Sequence, residues 1–257
     1  MTGILDEYPG AAAAYSLRLL NTDYTGDAVV VRRASDNTTQ NIGFIDGELD
    51  TDTLDTFCSG TDGFVATWHD QSGNGYDSTN ATASEQPKIY DSSTGIILEN
   101  GKPAVSFDGV DDTLQYNFSP DEAQPFTLFY VRRYRDTSQT SVGLSVGSSS
   151  GTGYADIVLG DRFRSYYGSY LVGEVSNTNQ GIWYSLGNGA NSEVGLDSAT
   201  AITGNAGTSG LEAINIGSAQ TAFFANINVQ EVIIYNSNQS LNRTGIETNI
   251  NDFYLIY

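Results

Sequence analysis

The sequence predicts an all-β protein, a two-sheet antiparallel jelly-roll sandwich with one or two short helices. Three observations predict it. Glycine reaches 28 of 257 residues while only 16% of residues are charged. Gly, Ser, Thr and Asn are plentiful; they rank low in helix propensity and supply the positive φ that tight turns need. The 16 tyrosines and 11 phenylalanines offer large apolar area for a sandwich core, with the tyrosine hydroxyls left to reach polar partners. Short β-branched or aromatic runs recur at intervals of roughly ten to fifteen residues between turn signals, the rhythm of a sandwich. One domain spanning residues 1–257 is expected, since sandwiches of this size commonly form a single unit.

Along the chain, residues 11–20 follow a Pro9-Gly10 turn, and their alanine content and lack of β-branching favour a short helix over a strand. Residues 29–33 form a strand by their β-branched run. Residues 49–58 carry Leu49, Leu54, Phe57 and Cys58 at helical spacing, with Asp50 as N-cap. A strand over 64–68 ends at the turn cluster Asp70-Gln71-Ser72-Gly73-Asn74-Gly75. Further strands are expected at 102–107, 113–116, 126–134 (the strongest), 155–159, 181–186, 213–216, 222–227 and 229–235. A C-terminal helix capped by Ser240 places Ile246, Ile250 and Phe253 on one face. Residues 147–153 read as a long loop.

The net charge is −20, from 31 acidic and 11 basic residues. Such a surface repels phosphate backbones and anionic lipid, which excludes nucleic acid as a main partner. No apolar run approaches the ~20 residues that span a bilayer, so membrane insertion is not expected. Met1 is followed by neither a basic nor an apolar leader region, so synthesis in a cytoplasm without general secretion is expected. A single cysteine, Cys58, rules out an intramolecular disulfide and reads as a small buried hydrophobe.

Candidate chemistry is sparse. The single histidine, His69, would have to serve any triad, and a packed strand end is the better reading. In the Asp70–Gly75 cluster, Asp70 and Asn74 are suited to Asx turns onto nearby backbone N–H groups, with Gly73 and Gly75 at positive φ. Asp108, Asp111 and Asp112 form an oxygen-rich group suited to Ca²⁺, although the spacing is not that of an EF-hand and no cofactor is otherwise implied. Tyr166, Tyr167 and Tyr170 beside Arg162 and Arg164 form a candidate ligand-binding set, because aromatic faces with arginine hold sugar rings.

Five motifs occur in order: 14–18 (Ala-Tyr-Ser-Leu-Arg), 31–37 (Val-Arg-Arg-Ala-Ser-Asp-Asn), 42–44 (Ile-Gly-Phe), Phe57-Cys58 and 68–75 (Trp-His-Asp-Gln-Ser-Gly-Asn-Gly). Together they resemble the N-terminal part of the catalytic domain of B-type fungal α-L-arabinofuranosidases, a concanavalin A-like sandwich. Residues 105–114 and 229–236 resemble the wider concanavalin A-like, laminin G-like group. The resemblance implies a retaining glycosidase with a nucleophile on an Asp-x-Glu strand motif in the second half, an acid further on, a vicinal disulfide and a separate arabinose-binding domain. After residue 115 no Asp-x-Glu occurs; Asp46-Gly47-Glu48 reads as a turn, and Asp156, Asp161, Glu174 and Glu193 lack the pattern. No catalytic residue is therefore carried over, and a vicinal disulfide is impossible with Cys58 alone.

Similar sequences that start directly with methionine look like structural proteins of tailed bacteriophages. The leading expectation is accordingly a non-enzymatic virion protein, a capsid decoration, head-fibre or tail-fibre component. It would assemble as a homo-oligomer with capsid or tail proteins and take host-surface glycan as a further partner. An arabinofuranosidase-like glycoside hydrolase and a stand-alone lectin-like module are the alternatives.

Overall fold

The computed structural model describes residues 3–149 and 151–257; Met1, Thr2 and Ser150, the last within the loop expected at 147–153, lie outside the described residues. Leaving two-residue strands unnumbered, the chain runs α1 (Ile4–Glu7), β1 (Ala11–Ser16), β2 (Val29–Arg33), β3 (Thr39–Ile42), α2 (Thr51–Cys58), β4 (Gly63–Trp68), β5 (Lys88–Asp91), β6 (Val105–Asp108), β7 (Leu114–Glu122), β8 (Phe126–Tyr134), β9 (Ser141–Ser145), β10 (Tyr154–Leu159), β11 (Arg162–Tyr166), β12 (Tyr170–Val175), β13 (Gln180–Gly187), β14 (Ser192–Leu196), β15 (Ile202–Gly204), β16 (Leu211–Ile216), β17 (Asn226–Tyr235) and α3 (Arg243–Tyr254).

Two antiparallel layers result. One is ordered β1-β17-β8-β13-β14-β15. The other runs β3-β2-β4, then through Ser78–Thr79 to β7-β16-β9-β10-β11-β12. At the rim β6 pairs with both β17 and β5, and β5 with β4, so the ladder continues from layer to layer. Between the layers Trp183 Nε1 donates to the Ala155 carbonyl at 2.7 Å, and the Tyr134 and Phe163 rings lie 5.5 Å apart.

The central strands of the first layer do not alternate. β8 and β17 are buried at nearly every position, because a second apolar cluster of Ile4, Leu5, Ile246, Ile250 and Tyr254 covers the face turned away from the sandwich core. A sheet covered on both faces selects a continuous apolar run. That covering makes the Phe126–Tyr134 strand the easiest to read in the sequence.

β1 is the main correction. Its alanines form a strand, paired with residues 231–235 of β17, with Ala13 in the sandwich core and Ala14 in the second cluster. Small side chains fit a strand wedged between two cores, and tertiary pairing overrides helix propensity. Its other edge is met by side chains of the Asp70–Gly75 corner. Asp70 accepts from the backbone N–H groups of Ala14 (2.8 Å), Ser72 (2.9 Å) and Tyr76 (3.0 Å) and from Ser72 Oγ (2.7 Å). Gln71 accepts from Leu20 N at 2.8 Å and donates to the Ser16 and Arg18 carbonyls at 3.0 Å. Asn74 donates to the carbonyls of Ala11 and Ala12, so its side chain braces β1 from a distance and is not an Asx-turn acceptor. Gly73 and Gly75 take φ of +90° and +75°, as the turn requires.

Beyond the corner, Arg18 forms a two-pronged ion pair with Glu231 of β17 at 2.7 and 2.9 Å, both side chains almost fully buried, and Tyr254 of α3 donates to the same carboxylate. Asp50 caps α2 through Thr53 N, and Cys58 is buried. Residues 222–225 precede β17 as irregular chain, and the C-terminal helix has Asn242 at its N-cap position in place of Ser240. The strands β3, β5, β9, β11, β12, β14 and β15 fall outside the expected ones; Gly, Ser, polar and charged residues interrupt their apolar pattern or leave them too short to show one.

Replacing Asp70 with Ala strips three backbone N–H groups and a hydroxyl of their acceptor. A loss of about 3 kcal/mol is expected, since each buried donor left unpaired costs roughly 1–3 kcal/mol. A lower urea midpoint at unchanged m-value would register it.

Candidate functional site

β6 runs out at Asp108, and the chain turns at Gly109, whose φ of +83° leaves no room for a side chain beside Asn226. The turn brings Asp108, Asp111 and Asp112 together, with a carboxylate oxygen of each within 4.8 Å of the others. Asp108 Oδ1 accepts from Val110 N at 2.7 Å, and Asp112 Oδ2 accepts from Asp108 N at 2.8 Å. Asp112 is 7% exposed. Burial, reinforced by the neighbouring Asp108 and Asp111 charges, pushes its carboxyl from the ordinary 3.8 up to about 7, against the opposing pull of the Asp108 N–H and Arg135. The three oxygens also form the donor set expected to suit a hard cation.

Asp108 and Asp112 face a groove of about 440 Å³ shared with Phe64, Gln86, Lys88, Asp91, Ser106 and Arg135. Lys88 Nζ bonds Asp62 at 2.8 Å and Asp91 at 3.2 Å, and Arg135 Nη2 donates to the Phe107 carbonyl at 2.7 Å. The groove thus holds a carboxyl whose pKa is raised to about 7, two further carboxyl groups in Asp108 and Asp91, two cations and an aromatic face. Sequence reasoning found the aspartates and missed Phe64, Lys88 and Arg135. They come from three separate strands or their ends, and no local pattern connects them.

The tyrosine–arginine set divides. Tyr166, Tyr170 and Arg164 lie on the outer face of β11 and β12, with Tyr166 opposite Tyr170 in register and their rings 4.7 Å apart. Tyr167 faces the other way. It is fully buried, its hydroxyl is 2.7 Å from Ser185 Oγ and its ring packs edge-on against Phe126. The expectation that Tyr167 touches ligand is therefore corrected: alternation along the strand sends it into the core. Tyr154, which pairs with Tyr166 from β10, was missed for the same reason of cross-strand register.

The remaining candidates are structural. His69 Nδ1 lies 2.8 Å from Asp77 Oδ2, whose other oxygen accepts from Asp70 N, and that hydrogen bond raises the imidazole pKa. Its Nε2 has no partner among the described residues, so no nucleophile completes a triad. Asp156 is fully buried in an ion pair with Arg132 at 3.0 Å, and Glu193 accepts from the Tyr184 hydroxyl. Asp46 and Gly47 form a turn with positive φ at both positions.

A family profile described as Alpha-L-arabinofuranosidase B, catalytic, matches residues 6–104. No curated protein matches the chain. Among solved structures, a GH54 α-L-arabinofuranosidase soaked with a cyclic sulfate inhibitor is similar over 96% of this chain and 64% of its own, with TM-score 0.74 and 17% identity. An arabinofuranosidase complexed with arabinofuranosyl-α-1,2-xylobiose is similar over the same shares, with TM-score 0.67 and 18% identity. The chain therefore spans 64% of the length of these structures, and what it shares with them is the β-sandwich fold.

Because its folded pKa lies above the ordinary value, the stability that Asp112 contributes is full below about pH 3.8 and is lost as the pH rises through about 7. Asp112→Asn keeps the acceptor oxygen and removes the titration. The variant is expected to match the wild type near pH 4 and to exceed it by up to about 4 kcal/mol at pH 8.5, since each pKa unit is ~1.4 kcal/mol. Urea midpoints at the two pH values would check this.

Proposed function

We propose that this chain is an arabinofuranosidase-like glycoside hydrolase domain, acting on an arabinofuranoside seated in the groove at Asp108 and Asp112. The observation that carries the reading is the pairing in that groove of a carboxyl held near neutrality with a second carboxylate within 4.8 Å. Retaining glycosidases use two carboxyls about 5–5.5 Å apart with well-separated acidities. Support for the substrate class comes from the likeness to arabinofuranosidases across 96% of the chain and from the profile match over residues 6–104. With no Asp-x-Glu motif after residue 115, this reading gives the catalytic role to Asp108 and Asp112.

In this mechanism protonated Asp112 donates to the departing glycosidic oxygen while the Asp108 carboxylate attacks the anomeric carbon, giving a glycosyl–aspartate ester. Asp112, now ionised, takes a proton from water, which cleaves the ester and restores both groups. Lys88 and Arg135 line the same groove and suit the sugar hydroxyls. The expectation of a virion protein draws no support from the matched proteins named above, which are glycosidases.

The test is nitrophenol release from 4-nitrophenyl α-L-arabinofuranoside by the wild-type chain and by Asp108→Asn and Asp112→Asn. Release is expected to fall on the alkaline side of about pH 7 as Asp112 ionises and to drop about 100-fold or more in each variant. Wild-type protein that binds arabinofuranosides without releasing nitrophenol would reduce the reading to a lectin-like module. Neither binding nor release, or release undiminished in both variants, would overturn it.

A further inference from the structure

The outer face of β10, β11 and β12 carries a ladder of three tyrosines. Tyr154 pairs with Tyr166 and Tyr166 with Tyr170 in the strand register. Their rings follow at 5.7 and 4.7 Å, tilted by 36° and 46°. The ladder opens outward: Tyr154 is 5% exposed and Tyr170 43%. Phe223, 45% exposed, stands edge-on 6.4 Å from Tyr154. It holds φ of +54°, a left-handed conformation costly for an aromatic residue. Val172, directly opposite Arg164 on β12, is 40% exposed. Tyr154 and part of Tyr166 pack on a small apolar cluster, while Tyr170, Val172 and Phe223 remain exposed together, which is more than the scattered apolar exposure of an ordinary surface.

Arg164 sits on this face two residues before Tyr166, with its guanidinium carbon 5.9 Å from the Tyr170 ring centroid. The other ten basic side chains each donate at least one hydrogen bond among the described residues. Arg164 donates none, and its Nε is shielded from solvent without a partner. In a chain of net charge −20, where carboxylates outnumber cations almost threefold, an arginine without a hydrogen-bond partner among the described residues, beside tilted tyrosine rings, is poised for an anion from outside. A planar guanidinium matches a carboxylate in two-pronged geometry.

We propose that this face is a binding site for a carboxylate-bearing saccharide, a uronic or sialic acid unit, with the sugar ring on Tyr166 and Tyr170 and its carboxylate on Arg164. The exposed tyrosine rings suit a sugar ring, and Arg164, which has no hydrogen-bond partner among the described residues, suits its acid group. The site shares no residue with the groove at Asp108 and Asp112, and it stands whether or not that groove hydrolyses anything.

Calorimetric titration of the full chain with trigalacturonate and with sialyllactose, in EDTA, tests the assignment. Neutral galactotriose and hexaglutamate serve as controls. At least one acidic saccharide is expected to bind about tenfold or more tightly than galactotriose, the margin one ion pair supplies, and to weaken as salt rises. Arg164→Gln and, independently, the exposed Tyr170→Ala should each weaken it about tenfold, whereas Asp112→Asn should leave it unchanged. Any of three results overturns the proposal: no binding of either acidic saccharide at millimolar concentration, equal binding of galactotriose or hexaglutamate, or indifference to Arg164→Gln in protein whose urea midpoint matches the wild type.

Discussion

The outer edge of β1 is closed by side chains. On one side this strand pairs with β17 in the ordinary antiparallel way. On the other, its N–H and C=O groups and those of the chain just beyond it are met by Asp70, Gln71, Ser72 and Asn74. An unpaired edge invites association with another chain, and an unsatisfied buried amide costs as much as a lost hydrogen bond. The corner solves both problems and at the same time fixes where the first layer begins relative to β4, from which it projects. Arg18 and Glu231 then carry the same tie inward to the last strand and the last helix.

With the first layer pinned in this way, its outer face can be given over to α3 and α1, and its inner face to the sandwich. What remains for ligands is the rim, where β6 passes from one layer to the other, and the open outer face of the second layer. The Asp108–Asp112 groove lies at the first place and the tyrosine ladder at the second. The two differ in chemistry. The groove concentrates carboxylates, one of them with its pKa raised by burial to about 7, whereas the ladder offers apolar rings and the one basic side chain without a hydrogen-bond partner among the described residues.

The acidic surplus and the scarcity of cations also shape the interior. Of 11 basic residues, Arg18, Arg132 and Arg243 sit in buried or nearly buried ion pairs. Such pairs add little net stability over apolar packing, yet breaking one is expensive, so they specify a single arrangement of elements. Arg18 joins β1 to β17, and Arg132 joins β8 to β10 across the sandwich. Three of the eleven positive charges thus serve internal register, and with 31 acidic residues the chain remains strongly acidic.

The all-β class, the strand Phe126–Tyr134, the capped helix α2 and the role of Asp70 as a scaffold residue were legible in the sequence, because turn chemistry, β-branching and capping act over a few residues. The face of α3 was legible as well, through the helical spacing of Ile246 and Ile250. The strand character of Ala11–Ser16 was not: alanine prefers helix locally, and only pairing with β17 and burial between two cores reverse that preference. Nor could the sequence turn Tyr167 inward while keeping Tyr166 outward, or set Tyr154 beside Tyr166, since strand register depends on partners far away in the chain. The same holds for the groove. Three aspartates within five residues were visible from the start, but Phe64, Lys88 and Arg135 and the burial that holds Asp112 near neutrality exist only once the strands meet. Local chemistry determined what kind of scaffold this is, and long-range packing decided where it has anything to bind.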